Sequence, residues 1–404
     1  DYPNFADWRV HFKISSFEFE MQDSSNFKFL VSGTLEAMLN LPRRQQFLEE
    51  IDNSNWDMLL LYGHSWRKDF FRSLVNFNFF GPHALAVLSP TGDLTVLLAH
   101  PWDQNPIANG TGATVHWSAN FTEALEELLA HRSPSKIAVA GMELMEAGFV
   151  DVLHRHAGDE PVSATALVEK LRRFKTPQEI TYVEEAARLA DLGYEHFVNT
   201  IEVGMAEYEL VAEVEGFLKS HGAEDNFMLI GSGGTEVYGM RPPTDRRFQR
   251  GDNVTTELSP QVNGYYAQIC RTLVMGDPSP NQERSFSIFQ EAQEAAQKFL
   301  RPGVNISDVA RVQNDVFRRE GYGEYTGSKY TRVRGHNLGL HADEHPYVLE
   351  DVDCLVEKDM VLIAHPNTYL PLSGYMVFGD TLLVTSDGCV SLSQTPRKLF
   401  RKEA

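Results

Sequence analysis

Asn253-Val254-Thr255-Thr256-Glu257-Leu258 and Ala267-Gln268-Ile269-Cys270-Arg271-Thr272-Leu273-Val274 flank a Gly264-Tyr265-Tyr266 turn. Both stretches are rich in β-branched and apolar residues, so they read as two strands joined by a loop. Glu257 and Gln268 lie eleven residues apart and can face each other across that hairpin. A carboxylate in such an apolar strand is costly unless paired or protonated. Three further motifs follow in order. The first is Gly335-His336-Asn337-Leu338-Gly339-Leu340, running into His341-Ala342-Asp343-Glu344-His345-Pro346. The others are Met360-Val361-Leu362-Ile363-Ala364-His365-Pro366 and Phe378-Gly379-Asp380-Thr381-Leu382.

Upstream, Lys175-Thr176-Pro177-Gln178-Glu179 opens a helix in three ways. Thr176 is an N-cap, Pro177 fills the first helical position and Glu179 completes a capping box. That helix runs to about Thr200, and Ala164–Phe174 reads as another before it. In the first half, Asp57–Tyr62, Ala84–Leu88, Leu94–Leu98 and Lys136–Ala140 are short apolar runs of strand length. Ser89–Asp93 carries the turn chemistry of a hairpin. Helical patterns over Leu35–Ile51 and Phe121–Ala130 alternate with these strands. Together they predict an α/β domain over residues 31–165, an N-terminal extension over 1–30 and a second domain over 166–404. Val203-Gly204 and Pro302-Gly303 each lead into a Val-Ala-x-Val helix, an echo that fits an internal duplication.

The 404 residues include 36 Lys plus Arg and 56 Asp plus Glu, a formal net charge of −20. That balance argues against a broad nucleic-acid or anionic-membrane surface. No apolar run reaches the length of a membrane span. Three cysteines without a C-x-x-C pair fit a reducing compartment, and the first residues lack a signal-peptide pattern, so a cytoplasmic location is expected. Gly231-Ser232-Gly233-Gly234 lacks the P-loop lysine and reads as a flexible turn.

From about Leu167 onward the ordered motifs resemble the pita-bread family of creatinase, prolidase, aminopeptidase P and methionine aminopeptidase. The resemblance implies an α/β (α+β) fold, with a small N-terminal α/β domain followed by a pita-bread domain of pseudo-twofold symmetry. The peptidases of that family bind two divalent ions through five side chains. By motif, the matching positions here hold Glu257, Gln268, His336, His365 and Gly379. Two cations about 3.5–4 Å apart need several carboxylates to offset their repulsion. Only Glu257 of the five is anionic. The expectation is therefore a metal-independent, cofactor-free hydrolase of a non-peptide C–N bond in a small zwitterion, like creatinase or ectoine hydrolase. Two alternatives stay open: a mononuclear-metal lyase or hydrolase using Glu257, His336 and His365, and a non-catalytic pita-bread binding module.

Glu257, His336, His365, His341 and His345 are the candidate catalytic residues, because carboxylate and imidazole exchange protons near neutrality. Arg241, Arg334, Tyr266, Gln268, Asp343 and Phe80 are candidate substrate contacts. A guanidinium suits a carboxylate, and aromatic rings suit planar cations. Cys270 reads as a buried structural thiol. Resemblance to creatinase also implies a homodimer in which Phe79, Phe80 and His83 close the partner's site over a small-molecule substrate.

Overall fold

The computed structural model describes residues 38–403. The expected extension over residues 1–30 lies outside the described residues.

The first domain is built on β1, Met58–His64. Leu59 and Leu61 point into one buried cluster, while Met58, Leu60 and Tyr62 point into another. Burial on both faces explains why the sequence there is a continuous apolar run rather than an alternation. β2 (His83–Leu88) and β3 (Leu94–Leu98) form the expected hairpin. Its turn is closed by Ser89 Oγ, which accepts from the Asp93 amide at 3.0 Å. With β4 (Thr114–Trp117), β5 (Ile137–Ala140) and β6 (Val162–Ser163) the sheet runs β4-β3-β2-β1-β5-β6. Its helices are α1 (Leu41–Ser54), α2 (Gln104–Thr111), α3 (Phe121–Arg132) and α4 (Ala147–His156). The sequence reading missed α2, α4 and the helical turn Asp69–Arg72, all too short for a clear period.

A helix α5 (Thr165–Arg172) leads to α6 (Pro177–Thr200), where the expected capping box is complete. The second domain carries a strongly antiparallel sheet. Its strands are β7 (Asp225–Gly233), β8 (Asn253–Val262) with the short β9 (Tyr265–Tyr266) paired to it, β10 (Ile269–Met275), β11 (Gly335–Asn337), β12 (Glu344–Tyr347), β13 (Val361–Ala364) and β16 (Gly379–Val384). The order is β12-β11-β13-β16-β10-β8-β7. A small ribbon pairs β14 (Asn367–Leu370) with β15 (Gly374–Val377). α6 and α7 (Glu207–Ser220) pack on β7, β8 and β10, whereas α8 (Pro280–Phe299) and α9 (Ile306–Arg319) pack on β13 and β16. Two helix pairs on two halves of one sheet account for the Val-Ala-x-Val echo. Gly231 is not in a flexible turn: it lies within β7, where an added Cβ would come 2.9 Å from the Gly239 carbonyl.

Buried ions join the domains. Arg43 of α1 pairs with Glu179 at 2.7 Å, and Glu179 also accepts from Asn40 and Tyr265. Arg172 pairs with Asp69 at 2.8 Å and with Glu344, which Lys175 approaches at 3.7 Å.

Candidate active site

β8 and β10 pair so that Glu257 lies opposite Cys270. Gln268, just before β10, reaches back diagonally, and its amide donates to Glu257 Oε2 at 2.9 Å. The two residues thus meet as expected. Burial, then the negative charge of Asp343, pushes the Glu257 carboxyl up to about 7, against the opposing pull of the Gln268 hydrogen bond. Arg271 is not its partner: that guanidinium is fully buried against Asp380 at 2.7 Å.

His336 of β11 is buried, and the charge of Asp343 acts on it as it does on Glu257. Its Nδ1 lies 3.0 Å from the Asn337 carbonyl and 3.5 Å from Asp343 Oδ1. His365, just after β13, stacks edge-on against it with ring centroids 5.1 Å apart. Burial lowers both imidazoles, His365 well below its ordinary value, so both rest neutral. Neither nitrogen of His365 has a hydrogen-bond partner, and Gln268 Oε1 and Asn337 Oδ1 are also unsatisfied. Such orphaned buried atoms are expensive without a guest.

Gly379 and His365 interlock. A Cβ at position 379 would come 2.5 Å from His365 Cβ and 2.8 Å from the Ala364 carbonyl. The chain at 364–365 with its Cβ and the missing side chain at 379 are one packing solution.

The floor opens outward through Asp343. Asp343, His341 and His345 line a pocket of about 190 Å³ with Arg67, Arg172 and Tyr347. His341 and Arg67 also line a neighbouring pocket of about 230 Å³ with Trp66, Lys68 and Tyr266. This cleft lies at the domain junction, and its far wall belongs to the first domain.

The structure therefore gathers Glu257, Gln268, His336, His365 and Asp343, with His341, His345 and Tyr266 at the opening. Three other candidates lie elsewhere. Arg334 is fully enclosed, bonded to Asn314 at 2.6 Å and to backbone carbonyls, so it cannot meet a substrate from solvent. Arg241 is exposed at the end of β7's pairing with Ile230. Phe80 stacks on Trp102 at 5.0 Å on the surface of the first domain. Phe79 is buried and His83 bonds Tyr62 at 2.7 Å, so both serve their own domain's core. Cys270 is fully buried, as expected. Glu344 is buried and ion-paired, a role its polar surroundings in the sequence do not suggest. Its cation, Arg172, lies far away in the chain, so no local pattern reveals the pair.

Residues 181–386 match the model of metallopeptidase family M24. The chain belongs to metallopeptidase family M24. This M24 chain is 31% identical over 236 residues to the Xaa-Pro dipeptidase of Pyrococcus furiosus, covering 58% of this chain and 67% of that protein. It is 30% identical over 256 residues to the Xaa-Pro dipeptidase of Pyrococcus horikoshii, covering 63% and 72%. Its fold is shared with the Xaa-Pro dipeptidase from Bacillus anthracis, at 24% identity and TM-score 0.76 over 89% of this chain and 99% of that one. It is likewise shared with the X-Pro aminopeptidase from Thermotoga maritima, at 22% identity and TM-score 0.79 over the same shares.

These comparisons correct the sequence expectation. The pita-bread fold and the hydrolase family stand. The metal-independent, creatinase- or ectoine-hydrolase-like reading does not, because the relatives are named for Xaa-Pro peptides and the family is one of metallopeptidases. For the mononuclear alternative, no group of three His, Cys, Asp or Glu among the described residues is placed to hold a metal ion. Asp380, a possible helper, is taken by Arg271 and Arg397. The family's two-cation centre also does not fit the side chains present. Gln268 is a neutral amide, His365 a neutral imidazole, and Gly379 offers nothing. Among the described residues no helix is long and apolar enough to cross a membrane.

Proposed function

We propose that the cleft takes a short peptide and that the chain hydrolyses its C–N bond, with an Xaa-Pro bond as the preferred one. The observation that carries this reading is the cluster of Glu257, Gln268, His336 and Asp343 beneath a cleft, on a fold shared with Xaa-Pro dipeptidases. A carboxyl group near 7 is present in both protonation states at neutral pH, so it can take or give a proton at its Oε atoms. Gln268 orients that carboxyl group, and its free Oε1 accepts from a substrate N–H. Asp343 holds the His336 imidazole as a second proton carrier. His341 and Tyr266, at the opening, hold the peptide body.

The test is cleavage of Ala-Pro, with Ala-Ala as control, followed by mass spectrometry with Mn²⁺, Co²⁺ or Zn²⁺ supplied and withheld. Cleavage of Ala-Pro that falls about 100-fold or more in Glu257→Gln supports the reading. Binding of Ala-Pro without cleavage under every condition overturns it.

A further inference from the structure

Five tyrosines from three chain segments meet at one surface. Tyr238 follows β7, Tyr369 lies on β14, and Tyr322, Tyr325 and Tyr330 precede β11. Tyr238 stacks on Tyr369 with centroids 4.3 Å apart and planes 13° apart. Tyr330 lies nearly parallel to Tyr369 at 5.9 Å, and Tyr325 meets Tyr330 at 4.8 Å. Tyr322 and Tyr325 root the group against the core of Phe286, Phe289 and Phe317. Its outer end stays open: Tyr238 is 61% exposed. Rings with two rotatable bonds, an apolar face and a polar tip lose little entropy when they bind, which is why such clusters mark recognition surfaces.

The inner end leads to the candidate active site. In the β14–β15 ribbon Tyr369 lies directly opposite Tyr375, so the two rings share one face. Tyr375 is buried and feels the charge of Glu257. Asn367 is two residues before Tyr369 on the same strand face. It is only 6% exposed, yet its Oδ1 has no partner. An orphaned acceptor thus sits between the ring ladder and the Glu257 group.

We propose that this ladder binds the continuing chain of a proline-bearing peptide longer than two residues. The proposal rests on the reading of the cleft as a peptide site and deepens it. A polyproline II segment has no internal hydrogen bonds. Its prolyl rings pack on aromatic faces, and its carbonyls accept from tyrosine hydroxyls. The Asn367 Oδ1 receives a backbone N–H where the peptide passes from the ladder to the floor.

The experiment compares Ala-Pro with Ala-Pro-Pro-Ala-Pro by calorimetric affinity and by cleavage, in wild type, Tyr238→Ala and Tyr330→Ala. Both substitutions are at the surface, and circular dichroism confirms folding. The pentapeptide is expected to bind about tenfold tighter than Ala-Pro in wild type, with that advantage lost in each variant while Ala-Pro is unaffected. Cleavage of Ala-Pro with no pentapeptide advantage overturns the ladder alone. Tyrosine-dependent pentapeptide binding without any cleavage supports the ladder and overturns hydrolysis. Failure of both peptides to bind overturns both.

Discussion

Arg172 and Glu344 form a buried ion pair that links the end of α5 to the loop bearing His341 and Asp343. The same guanidinium bonds Asp69 of the first domain at 2.8 Å. One arginine therefore sets where the first domain stands relative to that loop. Glu344 passes that constraint on, accepting from the His341 amide at 3.2 Å and from Asn337 Nδ2 at 3.1 Å.

Arg172→Met removes the cation shared by two buried carboxylates, leaving Asp69 to Arg67 and Glu344 to the more distant Lys175. Breaking a buried pair this way costs about 3–5 kcal/mol. Urea unfolding should report a loss of that size. An Arg172→Lys variant should recover only part of it, since one ammonium cannot span both carboxylates.

Glu257→Gln should change the dependence of stability on pH. The folded carboxyl group titrates near 7, above the value of an exposed glutamate. Its protonated form is favoured by the fold, so its contribution is fully present at low pH and lost as pH rises through 7. At pH 8 the buried charge costs up to about 3 kcal/mol. Thermal melts should therefore show wild type and variant alike near pH 4, with the variant more stable at pH 8. Equal stability at pH 8 would contradict the environment described for Glu257.

Gly379→Ala should destabilise the chain by about 1–3 kcal/mol through overpacking against His365 and the Ala364 carbonyl. His365→Ala combined with Gly379→Ala should recover little of that loss, because alanine keeps the Cβ and Cα that the new methyl group meets. A double-mutant cycle in denaturant measures the coupling.

Equilibrium dialysis against Mn²⁺, read by elemental analysis, should find fewer than two tightly held ions per chain. Glu257 is the lone anion among the five family positions, too little charge to hold a close pair of cations. Stoichiometric binding of two ions would show that the site rearranges around them.

Much of the second domain was legible because its signals are local. Thr176, Pro177 and Glu179 announce a helix start within four residues, and the hairpin of Glu257 and Gln268 follows from strand composition. The first-domain strands were legible as apolar runs. What escaped the sequence was non-local. Arg334 looked like a substrate cation because it adjoins the glycine run, yet Asn314 and three carbonyls enclose it. Glu344 sits among polar neighbours in the sequence, while its cation comes from the end of α5. The chemistry was misjudged for another reason. Lost carboxylates at Gln268, His365 and Gly379 were taken to mean a change of substrate, whereas the family and its named relatives point to peptides.

The lock between positions 365 and 379 makes change at this centre directional. Any side chain introduced at 379 meets the Cβ and Cα of residue 365 and the Ala364 carbonyl, whichever residue stands at 365, and an acid at 365 alone has no mate across the gap. A return to a carboxylate-rich centre therefore needs the chain at 364–365 to move as well as the side chains to change. The Gly379–His365 contact acts as a ratchet tooth.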